Sequence, residues 1–219
     1  MKTRLPFAGA VALLLVLTGF TGCRSAYYAA YEKFGVHKRD LLRKHVTAAR
    51  DEQQAAGEQF KSALERLKEL YGFSGGNLEK AYKGLQNEYE DCAARADDVR
   101  KRIKQIETVA EDLFTEWESE IKEISTVSLQ ASSRRQLRET RARYQDLHDA
   151  LKEAERSMDP VLTQLRDQVL YLKHNLNAQA IASLKGEAAN IQVDITRLLE
   201  QMNAAIARAD EFISTLQSE

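Results

Sequence analysis

The sequence predicts an all-α protein whose mature part forms an elongated antiparallel four-helix bundle, or coiled coil, with up-down-up-down topology. Charged residues make up 30% of the chain, and its two prolines stand at positions 6 and 160. Apolar residues recur at alternating three- and four-residue intervals over long segments, which is typical of helices packed against one another. Breaks rich in glycine, serine or asparagine separate four such segments. Residues 23–219 are therefore predicted to form a single helical domain.

The first two helices are predicted at residues 26–71 and 78–124. The glycine-containing run 72–76 separates them. Asn77 suits an N-cap, because its side chain can accept a hydrogen bond from a free amide of the next turn. At 1.5 Å per residue each helix is about 70 Å long, so the two should lie antiparallel as a hairpin.

The second half of the chain is predicted to contain helices at 129–173 and 178–217. Ser125 to Ser133 is predicted to form a polar turn, and the apolar pattern of the third helix keeps its phase through Pro160, which predicts a kink instead of a boundary. Before the fourth helix, an asparagine in the left-handed conformation should end the third helix and Asn177 should cap the fourth.

The apolar series of the four helices define the predicted core. Trp117 occupies a core position of the second series, which predicts packing in the interior. The charges of 107–123, mostly acidic, and of 134–143, mostly arginine, should lie opposite one another in the antiparallel hairpin. The four predicted core series run from Leu42 to Leu70, from Val99 to Ile124, from Leu137 to Leu172 and from Ile181 to Leu216.

The N-terminus is typical of a bacterial lipoprotein signal peptide, predicted at residues 1–22. Lys2 and Arg4 precede an uncharged stretch from position 5 to 20, and small residues lead to Cys23, which resembles the cysteine that bacteria acylate. Several acyl chains would hold the protein on a membrane facing the periplasm. The alternative is an uncleaved signal anchor. By analogy with enteric lipoproteins, Arg24 in place of aspartate favours the outer membrane over the inner one.

Charge and cysteine content narrow the class of protein further. Removing residues 1–22 takes away two basic residues and shifts the net charge from −1 to −3, so nothing in the bulk charge favours nucleic acid. Cys92 is then the one thiol left, and its position in the middle of a helix favours burial over pairing between molecules. Near the anchor, a basic group could contact anionic head groups or form a solvated helix face. This group consists of Lys38, Arg39, Arg43 and Lys44.

The predicted topology brings two connections together at the end of the bundle farthest from the anchor, about 65 Å away. This tip is the candidate binding site for a protein partner in the envelope, and a capped turn is the alternative interpretation of its asparagines. The candidate partner-binding residues are Phe73, Gly75, Gly76, His174, Asn175 and Asn177.

Several runs of the chain together resemble the uncharacterised bacterial lipoproteins of domain-of-unknown-function family 2959. The resemblance extends from about Tyr27 to Gln217 and implies a helical envelope protein without a known activity. It rests on the runs 35–40, 75–79, 113–117, 158–161 and 172–178.

The sequence has no HExxH, CxxC, GxSxG or phosphate-loop motif, so we expect no catalytic residue, metal or cofactor. The leading hypothesis is a non-catalytic, membrane-anchored periplasmic scaffold or adaptor that binds its partner at the tip. The alternative is a structural homo-oligomer of the cell envelope, joined through exposed apolar positions or Cys92. An enzyme is the third hypothesis, and its only candidate site is His174, Asn175 and Asn177.

Overall fold

A computed structural model describes residues 37–72, 75 and 77–218. The chain divides into two compact units, Met1–Leu41 and Leu42–Glu219. Of the first unit, the description covers residues 37–41, where the first helix begins. The predicted signal peptide, Cys23 and the first part of the predicted helix 26–71 lie outside the described residues.

The described residues form four long helices, which confirms the all-α prediction. The second and fourth helices agree with the predicted ranges to within one residue at each end. None of the four helices contains a stretch long and apolar enough to cross a bilayer. In chain order the helices are α1 (Lys38–Tyr71), α2 (Leu78–Glu123), α3 (Val127–His174) and α4 (Ala178–Ser218).

Neighbouring helices in the second unit run antiparallel, as the up-down-up-down prediction requires. As residue numbers rise along one helix of a contacting pair, they fall along the other. Each helix thus contacts the helices before and after it, and α4 closes the bundle against α1. The contacts that establish these directions are Glu52–Arg95 and Gln59–Glu88, Glu107–His148 and Glu118–Arg141, Glu153–Gln201 and Gln164–Asp194, and Arg50–Asp210 with Gly57–Met202.

The predicted core series are buried almost throughout, which places the hydrophobic core along the bundle axis. Tyr144, Ile124 and Ala188 are half-buried. Trp117 is half-buried too, so the prediction that it packs in the core is wrong. Its indole N–H donates a hydrogen bond to Ser133 Oγ at 2.9 Å, which places the ring at the edge of the α2–α3 seam.

The predicted polar turn from Ser125 to Ser133 is also wrong in its extent. α2 ends at Glu123 and α3 begins at Val127, so the connection contains only residues 124–126. The polar residues that suggested a turn instead lie in the first turns of α3. One of them, Gln130, has a structural role there: its Nε2 donates to the carbonyl oxygens of Ile121 at 3.1 Å and Ile124 at 3.3 Å and so caps the end of α2.

The connection between α3 and α4 differs from the predicted one in backbone conformation. Asn175 has φ −132°, and no non-glycine residue of the described chain has a positive φ. The prediction that a left-handed asparagine ends the third helix is therefore wrong. Its side chain ends the helix by another route, because Asn175 Nδ2 donates to the Tyr171 carbonyl at 2.8 Å. α3 continues through Pro160 as predicted.

The two ends of the bundle are named here by the helix termini that meet there. At the tip, α1 and α3 end and α2 and α4 begin. At the base, α2 and α4 end, α3 begins, and Leu42 joins the bundle to the preceding chain. The 48 residues of α3 correspond to about 70 Å between tip and base.

Candidate functional site

Both connections predicted to form a partner site lie at the tip. The structure describes Gly75 in one connection and His174, Asn175 and Asn177 in the other, whereas Phe73 and Gly76 lie outside the described residues. Within the described part of the chain, no hydrogen bond joins the two connections. Described residues of each connection are bonded to the ends of their own helices.

The asparagines at the tip act as helix caps. Asn77 Oδ1 accepts a hydrogen bond from the Lys80 amide at 3.0 Å, and Asn177 Oδ1 accepts one from the Ala180 amide at 3.0 Å. Together with the bond from Asn175 to the end of α3, these contacts satisfy backbone groups that a helix terminus leaves open. Capping thus accounts for the position of each asparagine. His174, which is exposed, lies next to Asn175 in the chain.

A cleft of about 520 Å³ lies between the end of α1 and the beginning of α2. Gly75 and Asn77 form its outer edge, so one of the predicted tip segments borders a real concavity. Residues distant in sequence complete the cleft because the hairpin folds α2 back along α1. Sequence reasoning did not select these side chains, which include Arg66, Glu69, Lys80, Lys83, Gly84 and Asn87.

The Arg66 side chain extends from α1 in the wall of the cleft and lies next to Gly84 of α2. Its Nη1 donates to Glu69 Oε2 at 2.7 Å, and a Cβ built on Gly84 would lie 3.3 Å from its Nε. A glycine inside a helix costs about 1 kcal/mol relative to alanine, and here its bare backbone leaves room for the guanidinium group. Arg66 Nε is buried and has no hydrogen-bond acceptor within the described chain.

The cleft carries an excess of positive charge. Lys83 pairs with Glu79 at 2.7 Å, and this hydrogen bond lowers the pKa of the Glu79 carboxyl. Lys80 is exposed, and its ammonium group has no carboxylate partner among the described residues. Three basic side chains thus face one acidic side chain, Glu69, in the lining. Such a surface attracts acidic groups of a partner.

Exposed apolar side chains accompany the cleft at the tip. Leu170 is 46% exposed, Tyr171 39% and Leu176 43%. A single exposed leucine is ordinary, but three large apolar side chains within seven residues at one end of the bundle are typical of a contact surface. Aromatic and aliphatic anchors beside charged groups are the composition found at protein interfaces.

Comparison with protein families matches residues 27–216 to the family described as "Protein of unknown function (DUF2959)". The chain belongs to this family. The resemblance of the sequence to domain-of-unknown-function family 2959 is therefore confirmed. Neither the curated proteins nor the solved structures contain a match to it. A function for this DUF2959 protein is therefore inferred from the physical features of the tip.

The predicted membrane-proximal basic residues of this DUF2959 protein lie in the first two turns of α1. Lys38 and Arg39 belong to the first unit, and Arg43 and Lys44 to the second. Lys44 is exposed, whereas Arg43 is half-buried. Contact with lipid head groups stays a prediction for this group.

One titratable cluster in the DUF2959 chain lies away from the tip, on the α2–α3 seam. His148 Nε2 lies 3.0 Å from Glu107 Oε1, and the Tyr144 ring centroid lies 5.9 Å from that of His148. Burial opposes ionisation of Glu107, but hydrogen bonds from His148 and Lys104 outweigh it and lower its pKa. Burial and then the Glu107 charge raise the pKa of Tyr144 to about 12. This half-buried cluster thus links α2 to α3 along their seam.

Proposed function

We propose that this protein is a non-catalytic lipoprotein, acylated at Cys23, that extends from a membrane into the periplasm and binds a protein partner at its tip. The outer membrane is favoured over the inner one. The observation that supports a tip partner most directly is the basic cleft between α1 and α2, whose lining includes Lys80, a lysine without a carboxylate partner among the described residues. The anchor rests on the N-terminal sequence alone.

The size and chemistry of the tip favour a protein partner over a small molecule. The cleft is bordered by long charged side chains, while the apolar anchors Tyr171 and Leu176 lie on the other connection. A ligand that uses both features must extend across the end of the bundle. A folded partner, or a peptide with acidic and apolar side chains, meets this requirement.

Site-specific photo-crosslinking in the membrane-anchored protein, in its own cells, tests the proposal. Gly75 has φ +157°, which disfavours a side chain there, and Lys80 must keep its charge, so the photoreactive residue should replace Asn87, which lines the cleft, or Leu176. The matched controls are Ala94 and Ala142, which are exposed in the middle of α2 and α3. We expect the same heterologous adduct from both tip positions and none from the controls. Adducts of equal yield at all four positions would contradict a tip-specific partner.

A charge-reversal variant tests whether the basic cleft contributes to partner binding or only lies near the bound partner. With the photoreactive residue at Leu176, the Lys80→Glu substitution should lower the adduct yield about tenfold, because an acidic partner would then meet a like charge. Lys101→Glu is the control, since Lys101 is 70% exposed on the middle of α2. An unchanged yield in Lys80→Glu would remove the cleft from the binding surface.

The alternative, a structural homo-oligomer, is favoured by one observation. Val193 is 56% exposed on the outer face of α4, where Ala182, Gly186 and Ala189 precede it at heptad spacing. Cys92 is fully buried and so cannot join two folded copies. Light scattering over a range of concentrations tests the alternative, and a mass that stays monomeric would contradict it.

The helix-capping bonds weaken the enzyme hypothesis, because two of its three candidate side chains, Asn175 and Asn177, bond to helix termini. Its test is simultaneous replacement of His174, Asn175 and Asn177. An envelope phenotype that is unaltered in cells carrying the triple variant would eliminate the site.

A further inference from the structure

The base of the bundle carries the two most exposed large apolar side chains of the described chain. Val127 is 80% exposed and Leu129 60%. Both lie in the first turn of α3, beside the short connection 124–126. Single exposed apolar side chains are ordinary on a protein surface, so these two indicate a contact surface only together with the other features of the base.

The base also lacks charge over a continuous stretch of chain. Residues 124–133 contain no acidic or basic side chain, and the stretch is bounded by Glu123 and by Arg134. The first turn of α3 contains no acidic residue, and the Thr126 side chain makes no capping hydrogen bond. In water a helix start usually gains from one of these features. The open amides of this helix start therefore need water or another polar group outside the helix, while the side chains around them carry no charge.

The position of this apolar end relative to the anchor identifies its occupant. The chain from Cys23 joins the bundle at the base, through Leu42. Eighteen residues lie between Cys23 and Leu42, and the nineteen steps along the chain span at most about 65 Å. From Leu42, α1 rises about 45 Å to the tip at Tyr71. Along the chain, the base is therefore the part of the bundle nearest to the proposed anchor, and the bilayer is within its reach.

We propose that the base of the bundle rests on the bilayer surface, with Val127 and Leu129 in the interfacial region and Arg134 and Arg135 at the lipid phosphates. This inference depends on the proposed acyl anchor. Both arginines are exposed, and they lie one to two turns from Leu129 along α3, a rise of about 7 to 9 Å. That rise matches the depth to which an amphipathic element enters the boundary between head groups and acyl chains. Basic side chains near an anionic surface each add about 1 kcal/mol of attraction, which the exposed Glu118, Glu120 and Glu123 at the same end of the bundle oppose.

Depth-dependent fluorescence quenching tests the inference in the full, lipidated protein. The Ser128→Cys variant carries an environment-sensitive fluorophore between the two apolar residues, which stay in place. The matched control is Gln179→Cys, which is exposed at the tip. Cys92 is buried and Cys23 is acylated, so the introduced thiol is the reactive one. The protein is reconstituted into vesicles of phosphatidylethanolamine and phosphatidylglycerol that contain a spin-labelled lipid quencher.

We expect quenching at least about twofold stronger at position 128 than at position 179, with blue-shifted emission at position 128 alone. In the Ser128→Cys chain, replacing Val127 and Leu129 by aspartate should abolish the difference. Because both side chains are exposed, the helix content measured by circular dichroism should not change.

The outcomes separate this inference from the anchor on which it depends. If the protein floats with the vesicles but position 128 is no more quenched than position 179, the base does not contact the bilayer and the anchor stands. If the quenching persists in the aspartate variant, these two side chains do not mediate the contact, and the inference is overturned as well. If the acylated protein does not float with the vesicles at all, both proposals fail.

Discussion

The hydroxyl of Tyr71 donates a hydrogen bond of 2.9 Å to Oε1 of Gln168 inside the bundle. Tyr71 ends α1 and Gln168 lies near the end of α3, so the bond joins two parallel helices across the bundle near the tip. Both residues are buried, with 7% and 6% exposure. Burial raises the pKa of Tyr71, which keeps the hydroxyl protonated as a donor at neutral pH. This bond links the end of α1 to α3 near the tip.

Replacing Tyr71 by phenylalanine should destabilise the protein by about 1 to 3 kcal/mol, because Gln168 would lose a buried donor. The urea midpoint of unfolding measures the change. The Tyr71→Phe, Gln168→Leu double variant should recover part of the loss, since neither partner is then left polar and unpaired. A double variant that is less stable by the sum of two large single losses would contradict this account.

Gln53 presents the opposite case, a fully buried amide in the core with neither side-chain atom bonded to the described protein. Replacement by leucine should raise the free energy of unfolding by about 1 to 3 kcal/mol, because burying an unpaired amide is costly. Gln54→Leu is the control, since Gln54 is exposed and should change stability by less than about 0.5 kcal/mol. A destabilised Gln53→Leu variant would mean that the amide has partners outside the protein chain, such as bound water.

His45 should give the stability a pH dependence just below neutrality. Burial lowers its pKa from the ordinary 6.5, and the charges of Lys44 and Arg102 lower it further, against a hydrogen bond with Gln105 that raises it. The unfolded chain therefore binds the proton first. Stability is fully present above pH 6.5 and falls as the pH drops through the folded pKa.

The His45→Gln variant should flatten this part of the stability curve, which urea unfolding between pH 7.5 and pH 5 measures. His174→Gln at the exposed tip is the control and should leave the curve unchanged. An unaltered slope in His45→Gln would assign the dependence to other groups.

Cys92 should be inert in the folded protein. It is fully buried, and burial raises its pKa to about 12, with smaller contributions from Glu88 and Asp91. Because the thiolate is the reactive form, a maleimide at pH 7.5 should label Cys92 more than about 100-fold more slowly than an exposed cysteine. The reference is Ala94→Cys in a Cys92→Ala chain, and both proteins carry Cys23→Ser. Equal rates in the absence of denaturant would contradict the buried position.

Much of the bundle could be predicted from the sequence because heptad patterns act locally. The series from Leu42 to Leu70 fixes which face of α1 is buried, and Asn77 and Asn177 occupy the cap positions that were predicted. The extent of the connection after α2 could not be predicted, because serine and glutamine suit a turn and an exposed helix start equally well. Only the contacts of Gln130 with the end of α2 distinguish the two.

The sequence by itself determined the helical class, the four helices of the described residues and their core faces, because each follows from residues close together in the chain. The similar lengths of the helices then predicted that two connections meet at the tip. The tertiary structure decided what the two ends of the bundle present. The cleft exists because the hairpin places Arg66 beside Gly84. Trp117 lies at a seam because its helix turns it toward Ser133, and Val127 is exposed at the first residue of α3. Periodicity identifies which side of a helix is buried, whereas only the packed register of the helices determines which side chains the ends leave exposed.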